Sequence, residues 1–399
     1  MDLTISQRAR KLGGQLEEFM SEEVLPAEKG AASESQSEYS KVMEQLKISA
    51  KNRGLWNLFH SDPDWGAGLS NLEYAPLAEI MGRSMLASEA CNCSAPDTGN
   101  MELLTLFGTP AQKDRWLRRL LDGKIRSSFA MTEPAVASSD ATNVSLTISA
   151  DGDEWVLNGR KWWITGAEHP LCALFIVMGK TEPEAPVRRQ QSMVLVPTGT
   201  PGIQIVRRLP LMGYWDPETH CEIAFDNVRV PKSAMLGGEG EGFMMAQARL
   251  GPGRIHHCMR SIGAAERALE LLCRRALDRV TFGSAVASRA NVQDWIADAR
   301  VNIEMLRLLA LRTAWLMDAS GNKAAATEIA AIKIAGPNIA GEIIDRAIQV
   351  YGAAGMSDDS PLARLYVLQR SLRFADGPDE VHRRSLALRE LRRYEPEFR

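Results

Sequence analysis

Apolar spacing changes character twice along this 399-residue chain, and that order constrains the fold more than any single motif does. Up to about residue 128 the apolar residues fall at helical spacing, most clearly over 73–85 and 110–121. Pro110 directly after Thr109 makes Thr109 the expected N-terminal cap of the second of these helices. The polar, Ser-rich residues 33–40 read as a loop. Near Ser127 β-branched and aromatic residues take over. Strands are expected over 144–148, 155–164, 174–179, 192–197, 203–207 and 221–230, with Asp151-Gly152-Asp153 as a turn. Helical spacing returns after the Gly-rich residues 237–242. Ile296, Ile303, Leu306, Ala310, Thr313 and Met317 follow one another at steps of seven, three, four, three and four, which is one face of a long helix. A further helix is expected over 325–351, bent or interrupted near Pro337.

Helices, then strands, then helices, with no βαβ alternation, argue against a dinucleotide-binding Rossmann domain. The expected class is α+β, mostly α. A helical domain over 1–128 precedes a small β-barrel or sandwich over 129–236 and a helical bundle over 237–399. Residues 237–242 match neither glycine-rich phosphate-binding pattern and read as a linker between domains.

Charge excludes some partners. The net charge is −3, which gives no electrostatic reason to expect nucleic acid or an anionic membrane surface. No apolar run approaches the length of a membrane-spanning helix, so no membrane insertion is expected. The N-terminus shows no secretory signal and the C-terminus no recognisable address, so a bacterial cytoplasm or a soluble organelle matrix is expected. Of the six cysteines only Cys91 and Cys93 are close in sequence. No second ligand pair follows them, so no metal site is expected and reduced thiols fit best.

Four segments stand out. In Phe129-Ala130-Met131-Thr132-Glu133-Pro134, continuing through Ser138-Ser139-Asp140, Thr132 and the backbone could donate to the polar edge of a flavin while Phe129 and Met131 cover its ring. A plain loop is the alternative. In Lys161-Trp162-Trp163-Ile164-Thr165-Gly166, alternation puts Trp163 and Thr165 on one side of a strand, an aromatic plate beside a hydroxyl. A Trp buried in the core is the alternative. In Leu250-Gly251-Pro252-Gly253-Arg254-Ile255-His256-His257, Arg254 could meet a polar part of a ligand. The adjacent histidines cannot both face one site, so one is expected packed and the other turned to solvent or a site. In Phe374-Ala375-Asp376-Gly377-Pro378-Asp379-Glu380-Val381-His382, Asp376 is either part of an ordinary turn or a carboxylate base aimed into a cavity.

Together with Phe225-Asp226-Asn227-Val228-Arg229-Val230-Pro231, Arg279-Val280-Thr281-Phe282-Gly283 and Gln349-Val350-Tyr351-Gly352-Ala353-Ala354-Gly355, the Thr132-Glu133-Pro134 and Trp163-Ile164-Thr165 segments resemble acyl-CoA dehydrogenase signatures in the family's order. The resemblance runs from about Ala87 to the end. Residues 250–259 and 375–382 are similar to the branch whose animal members are fused to a phosphotransferase-like kinase domain, and the chain is expected to represent the dehydrogenase part alone.

The resemblance implies the acyl-CoA dehydrogenase fold, with a middle β-barrel and a C-terminal four-helix bundle, and FAD as cofactor. It implies that residues 129–139, including Phe129, Met131, Thr132, Ser138 and Ser139, hold the isoalloxazine ring together with Trp163 and Thr165, Thr165 lying near N5. Ser139 would touch both pyrophosphate and the pantetheine arm. Arg279, Phe282, Gln293, Gln349 and Gly352 would hold the adenine half of an FAD bound mainly by a neighbouring subunit, with Asp379 and Glu380 also on the cofactor side. Arg254 would lie along the CoA channel and Gly377 beside substrate. Asp376 stands where many members carry a glutamate base, and Pro378 where relatives carry a hydroxyl that contacts flavin. The other family base position is Gly253 here, which leaves Asp376 as the base.

The implied reaction is FAD-dependent α,β-dehydrogenation of a fatty acyl-CoA to the trans-2-enoyl-CoA. An electron-transfer flavoprotein would take the electrons, and a homodimer or homotetramer is implied. The alternatives are an acyl-CoA oxidase, a flavin monooxygenase on the same fold, a dehydrogenase of hydroxyacyl-CoA or its phosphorylated form, and a non-enzymatic FAD-binding protein.

Overall fold

A computed structural model describes residues 1–31, 36–214 and 219–398. Before the sheet come α1 (Gln7–Phe19), α2 (Leu25–Ala31), α3 (Gln36–Asn52), α4 (Asn71–Gly82), α5 (Ala87–Ala90), α6 (Asp97–Phe107), α7 (Pro110–Gln112) and α8 (Arg118–Leu121). The strands are β1 (Arg126–Ala130), β2 (Thr147–Asp151), β3 (Glu154–Thr165), β4 (Cys172–Lys180), β5 (Gln191–Pro197), β6 (Ile203–Arg208), β7 (His220–Pro231) and β8 (Met235–Leu236). There follow α9 (Gly242–Asp278), the hairpin of β9 (Val280–Thr281) and β10 (Ser284–Ala285), α10 (Ala290–Ala324), α11 (Ala326–Tyr351), α12 (Leu362–Leu372) and α13 (Asp379–Leu391). The chain forms two compact units, Met1–Cys91 with Gly253–Arg399, and Asn92–Pro252.

In the first unit, four helices share one apolar core. It takes Ile262, Leu269 and Leu272 from α9, Ile303, Leu306 and Ala310 from α10, Ile343 and Ile344 from α11, and Leu362 and Leu365 from α12. The expected stripe on α10 is the buried one, with Ile296 packed at its edge. The α11 helix runs unbroken through the buried Pro337, so it is not interrupted there. The break falls instead at Gly321 of α10, whose φ is 79°. Backbone sterics set the crossing of α4 with α9. A Cβ on Gly263 would stand 1.9 Å from the Glu79 carbonyl oxygen, and one on Gly82 would stand 2.1 Å from that of Arg260. Only glycine allows the two backbones this close. The α4 helix starts on a capping box of Ser70 and Glu73 and ends at Gly82, short of the expected residue 85. Residues 33–35 of the expected loop lie outside the described residues. Residues 36–40 are the start of α3, because Tyr39, Met43, Leu46 and Ala50 bury one helical face despite their polar neighbours.

In the second unit, one eight-stranded sheet runs in the order β6-β7-β3-β2-β4-β5-β8, and β1 lies parallel beside β4. Every other pairing is antiparallel except one residue pair of β2 with β4. Its apolar face gathers Ile148, Leu157, Ile164, Phe175, Val177, Val194, Ile223, Phe225 and Val230. Thr109 caps α7 as expected, in a capping box with Gln112. Strand β2 begins at Thr147 rather than at residue 144. Strands β1 and β8 escape a reading by alternation, being five and two residues long. The Gly-rich residues after β8 are less a loose linker than a fitted turn. Gly240, with φ of 77°, donates its N–H to Ser192 Oγ at 2.8 Å, and a Cβ on Gly242 would meet the Gln191 backbone at 2.8 Å.

Candidate functional site

Within the sheet unit, β1 delivers the chain to the segment assigned to the flavin. Ser127 and Ser128 are fully buried, and Asp97 on α6 accepts from the Arg126 guanidinium, from the Ser127 N–H and from its hydroxyl. Beyond Ala130 three successive residues are pinned through their backbones. The Met131 carbonyl accepts from Lys161 Nζ at 2.8 Å, the Thr132 carbonyl from the Trp162 N–H at 2.9 Å, and the Glu133 N–H donates to Ser138 Oγ at 2.8 Å. The Glu133 carboxylate also accepts from Lys161 Nζ at 2.8 Å, from both donors of Ser145 and from the Leu146 N–H. Burial raises the Glu133 pKa, but Lys161 and these hydrogen bonds hold it below the usual value. Burial lowers Lys161 to about 8 against the pull of Glu133, so the pair is ionised at neutral pH. A Lys in an alternating strand is the sequence signal for this pair, whose other half stands in the Thr132-Glu133-Pro134 segment.

Trp163 sits on a β-bulge, where β3 gains one residue against β7 between Lys161 and Ile164. Its φ is 54°, the residue is 40% exposed, and His220 meets its ring edge-on at 5.9 Å. Ile164 turns into the core while Thr165 stays half-buried, so Trp163 is not the buried core residue of the alternative reading. Ser138 is occupied in the turn and Ser139 is exposed. Phe129 is covered by the Arg249 guanidinium, 4.1 Å from the ring centroid. Arg249 also donates to Asn100 at 2.9 Å and to the Pro96 carbonyl. Burial lifts the Glu102 carboxyl to about 8 against the lowering effect of Arg249. Neither Glu102 nor Arg249 was singled out in the sequence.

In the helical unit, the residues between α12 and α13 form a turn with two consecutive left-handed residues, Asp376 at φ 56° and Gly377 at φ 103°. Asp tolerates this region better than most side chains, and glycine adopts it freely. Three side chains hold the turn by its carbonyls. Arg254 Nε donates to the Asp376 carbonyl at 3.0 Å, and His382 Nε2 lies 3.3 Å from the same oxygen. The buried Lys333 on α11 donates to the Leu372 carbonyl at 2.5 Å and reaches Gly377 at 3.4 Å. Burial depresses Arg254 and Lys333, with Asp376 opposing in each case, and it lowers His382 to about 4. The Asp376 side chain is 15% exposed, with Oδ2 3.5 Å from His257 Nε2. A Cβ on Gly253 would lie 3.1 Å from the same oxygen, so the missing side chain there is what lets the carboxylate approach α9. The two histidines divide as expected. His256 is buried edge-on against Tyr74, and His257 is half-buried beside Asp376.

The residues assigned to the adenine half also lie in this unit. Arg279, Gln293, Gln349 and Gly352 are exposed, and Phe282 is fully exposed at the tip of the β9–β10 hairpin. Asp379 is buried, accepting from Arg373 at 2.8 Å and Asn338 at 3.0 Å. Burial raises its pKa, but those two donors and Lys333 keep it below the ordinary range. Glu380 beside it is exposed. Within the sheet unit, an indole raised on a bulge next to a pinned backbone is a surface that suits a large flat cofactor. Among the described residues no group of three or more His, Cys, Asp or Glu is placed to hold a metal ion.

Comparison with known proteins bears on this arrangement. Family profiles for the acyl-CoA dehydrogenase N-terminal, middle and C-terminal domains match residues 6–124, 128–228 and 240–391. A Mycobacterium tuberculosis protein described as probable acyl-CoA dehydrogenase FadE2 is 55% identical, over 100% of this chain and 99% of its own length. Acyl-CoA dehydrogenase family member 10 of Mus musculus is 52% identical over 97% of this chain, which spans 37% of that protein. Family member 11 of Homo sapiens is 49% identical over 94%, and this chain spans 49% of it. A solved Mycobacterium abscessus structure assigned to the acyl-CoA dehydrogenases superposes with a TM-score of 0.94 at 50% identity, covering 98% of this chain and 100% of that one.

Proposed function

This chain belongs to the acyl-CoA dehydrogenase family, and from that premise we propose that it removes the α-proton of a fatty acyl-CoA with Asp376 and yields the trans-2-enoyl-CoA. It is an oxidoreductase of the CH–CH class with FAD as its cofactor. When bound, FAD supplies the acceptor for the β-hydride. The rest of the work falls to the chain's own side chains. Thr132, Trp163 and Thr165 would hold the ring, on a backbone stiffened by Lys161 and Glu133. Arg279, Phe282, Gln293, Gln349 and Gly352 would hold the adenine half, supplied to a neighbouring subunit in a dimer or tetramer. Asp376 takes the proton from Cα. A thioester α-proton is weakly acidic, so the base must be held close and kept from water.

The observation that carries this reading is the Asp376 turn. Arg254 and His382 hold the left-handed Asp376 through its own carbonyl, which leaves its carboxylate in a fixed place to act. Arg254 accordingly serves the base turn, whatever part of the CoA it also meets. The three-domain division 1–128, 129–236 and 237–399 follows the changes from helix to strand and back. Straight medium to very long acyl chains are the proposed substrates, with an electron-transfer flavoprotein as acceptor.

The test is to mix enzyme and acyl-CoA without oxygen and follow the flavin absorbance. Asp376→Asn should bleach at least about a hundredfold more slowly than wild type. Bleaching at the wild-type rate would remove Asp376 as the base. Peroxide formed in turnover under air would favour the oxidase reading instead.

A further inference from the structure

His257 has no place in the mechanism above, yet its ring lies between a guanidinium and the proposed base. Its Nδ1 is 3.1 Å from Arg260 Nη2, and its Nε2 is 3.5 Å from Asp376 Oδ2. A guanidinium can only donate. Nδ1 must therefore accept from Arg260 and carry no proton, which places the ring's single proton on Nε2, facing the carboxylate. Both side chains are largely buried, at 14% and 15% exposure. The gap of 3.5 Å is a few tenths of an ångström beyond hydrogen-bond length, and such contacts commonly tighten when substrate is in place.

We propose that Arg260 fixes His257 as the Nε2–H tautomer and that this N–H orients the Asp376 carboxylate for α-proton abstraction. The inference rests on the reading of Asp376 as the base. His257 is a positioning residue: the proton passes from the substrate Cα to Asp376, and His257 neither gains nor loses one. A neutral donor suits this task. A cation against the carboxylate would orient it equally well but would make it a weaker base. Arg260 acts one step back, by keeping His257 from taking a second proton.

Other charged groups surround the pair. Arg254 on α9, Lys333 on α11 and His382 on α13 all face the Asp376 turn, but the contacts they make there are to carbonyl oxygens. His256, buried to a pKa of about 3, and Cys258, pushed up to about 12, stay neutral across the working range. The Asp379 carboxylate is taken by Arg373 and Asn338.

The experiment uses the FAD-loaded enzyme, with FAD content, flavin spectrum and melting temperature recorded for each variant. At saturating acyl-CoA, His257→Leu should slow anaerobic flavin bleaching by about tenfold to a hundredfold. The acid limb of its pH profile should move to higher pH, because the carboxylate loses a donor. KM should change far less than the rate. His257→Gln, whose amide N–H reaches a similar point, should recover most of the rate. In wild-type protein labelled with 15N-histidine, the His257 signal, assigned by its loss in His257→Gln, should show a bare Nδ1 and a protonated Nε2 at neutral pH. In Arg260→Met the ring should take up a second proton as the pH falls through about 6 to 7, and the acid limb should move down. A protonated Nδ1 in the wild type would overturn the proposal. So would a wild-type rate and pH profile in His257→Leu. If Asp376→Asn is impaired while His257→Leu is not, the tautomer proposal alone fails; if Asp376→Asn bleaches normally, the assignment of the base fails first.

Discussion

At the scale of single residues, backbone geometry decides where chemistry can sit. Asp376 and Gly377 take left-handed conformations in succession, and Gly253 leaves the space that the carboxylate uses. A methyl group at residue 253 must push Oδ2 by a few tenths of an ångström, so Gly253→Ala should slow flavin bleaching by about tenfold with little change in melting temperature. Gly263 is a different case. Its Cβ would stand 1.9 Å from a backbone oxygen of α4, which no rotamer change relieves. Gly263→Ala should therefore destabilise the protein by about 3 kcal/mol or prevent folding, as read by urea unfolding.

At the scale of elements, polar groups fix where helices begin and where strands change course. Ser70 accepts from the Glu73 N–H, and Glu73 returns to the Ser70 N–H, so α4 starts on a closed pair of hydrogen bonds. Ser70→Ala should cost about 1 kcal/mol in urea unfolding. The Lys161–Glu133 pair joins β3 to the segment after β1. Lys161→Met leaves a buried carboxylate without its cation and should cost about 3–5 kcal/mol. Lys161→Met with Glu133→Leu removes both charges and should recover part of that stability. The donors of Ser145 and Leu146 lose their acceptor in the double variant, so recovery should be incomplete. A double-mutant cycle measures the coupling.

At the scale of the whole molecule, buried ionisable groups set the pH range over which the fold holds. Burial takes His256 to about 3 and His382 to about 4, from an ordinary value of 6.5. Between these values the unfolded chain binds more protons than the folded one, so acidification favours unfolding. Their contribution is intact above pH 6.5 and is lost as the pH falls towards 4 and below. Glu102 acts with the opposite sign. Its pKa rises from 4.5 to about 8, so the folded chain holds the extra proton and stability declines as pH rises through that window. Urea midpoints across pH should peak near neutrality, and Glu102→Gln should flatten the alkaline side. A midpoint that climbs steadily from pH 6.5 to 8 would contradict this balance; above that, Lys161, lowered to about 8, loses its proton first in the folded chain and acts the other way.

The division between what the sequence decided and what the folded chain decided follows the reach of the interactions. Local periodicity was enough for the order of helices and strands, for the buried stripe on α10, for the Thr109 cap and for the split of His256 from His257, because each depends on residues a few positions apart. The family motifs carried the cofactor and reaction class. Alternation could not show the bulge that raises Trp163, since a bulge is a mismatch with β7, dozens of residues away. It could not pair Lys161 with Glu133, bring Lys333 to the turn after α12, or set His257 against Asp376. Those contacts join residues 28 to about 120 positions apart, and only packing in three dimensions brings them within hydrogen-bond reach.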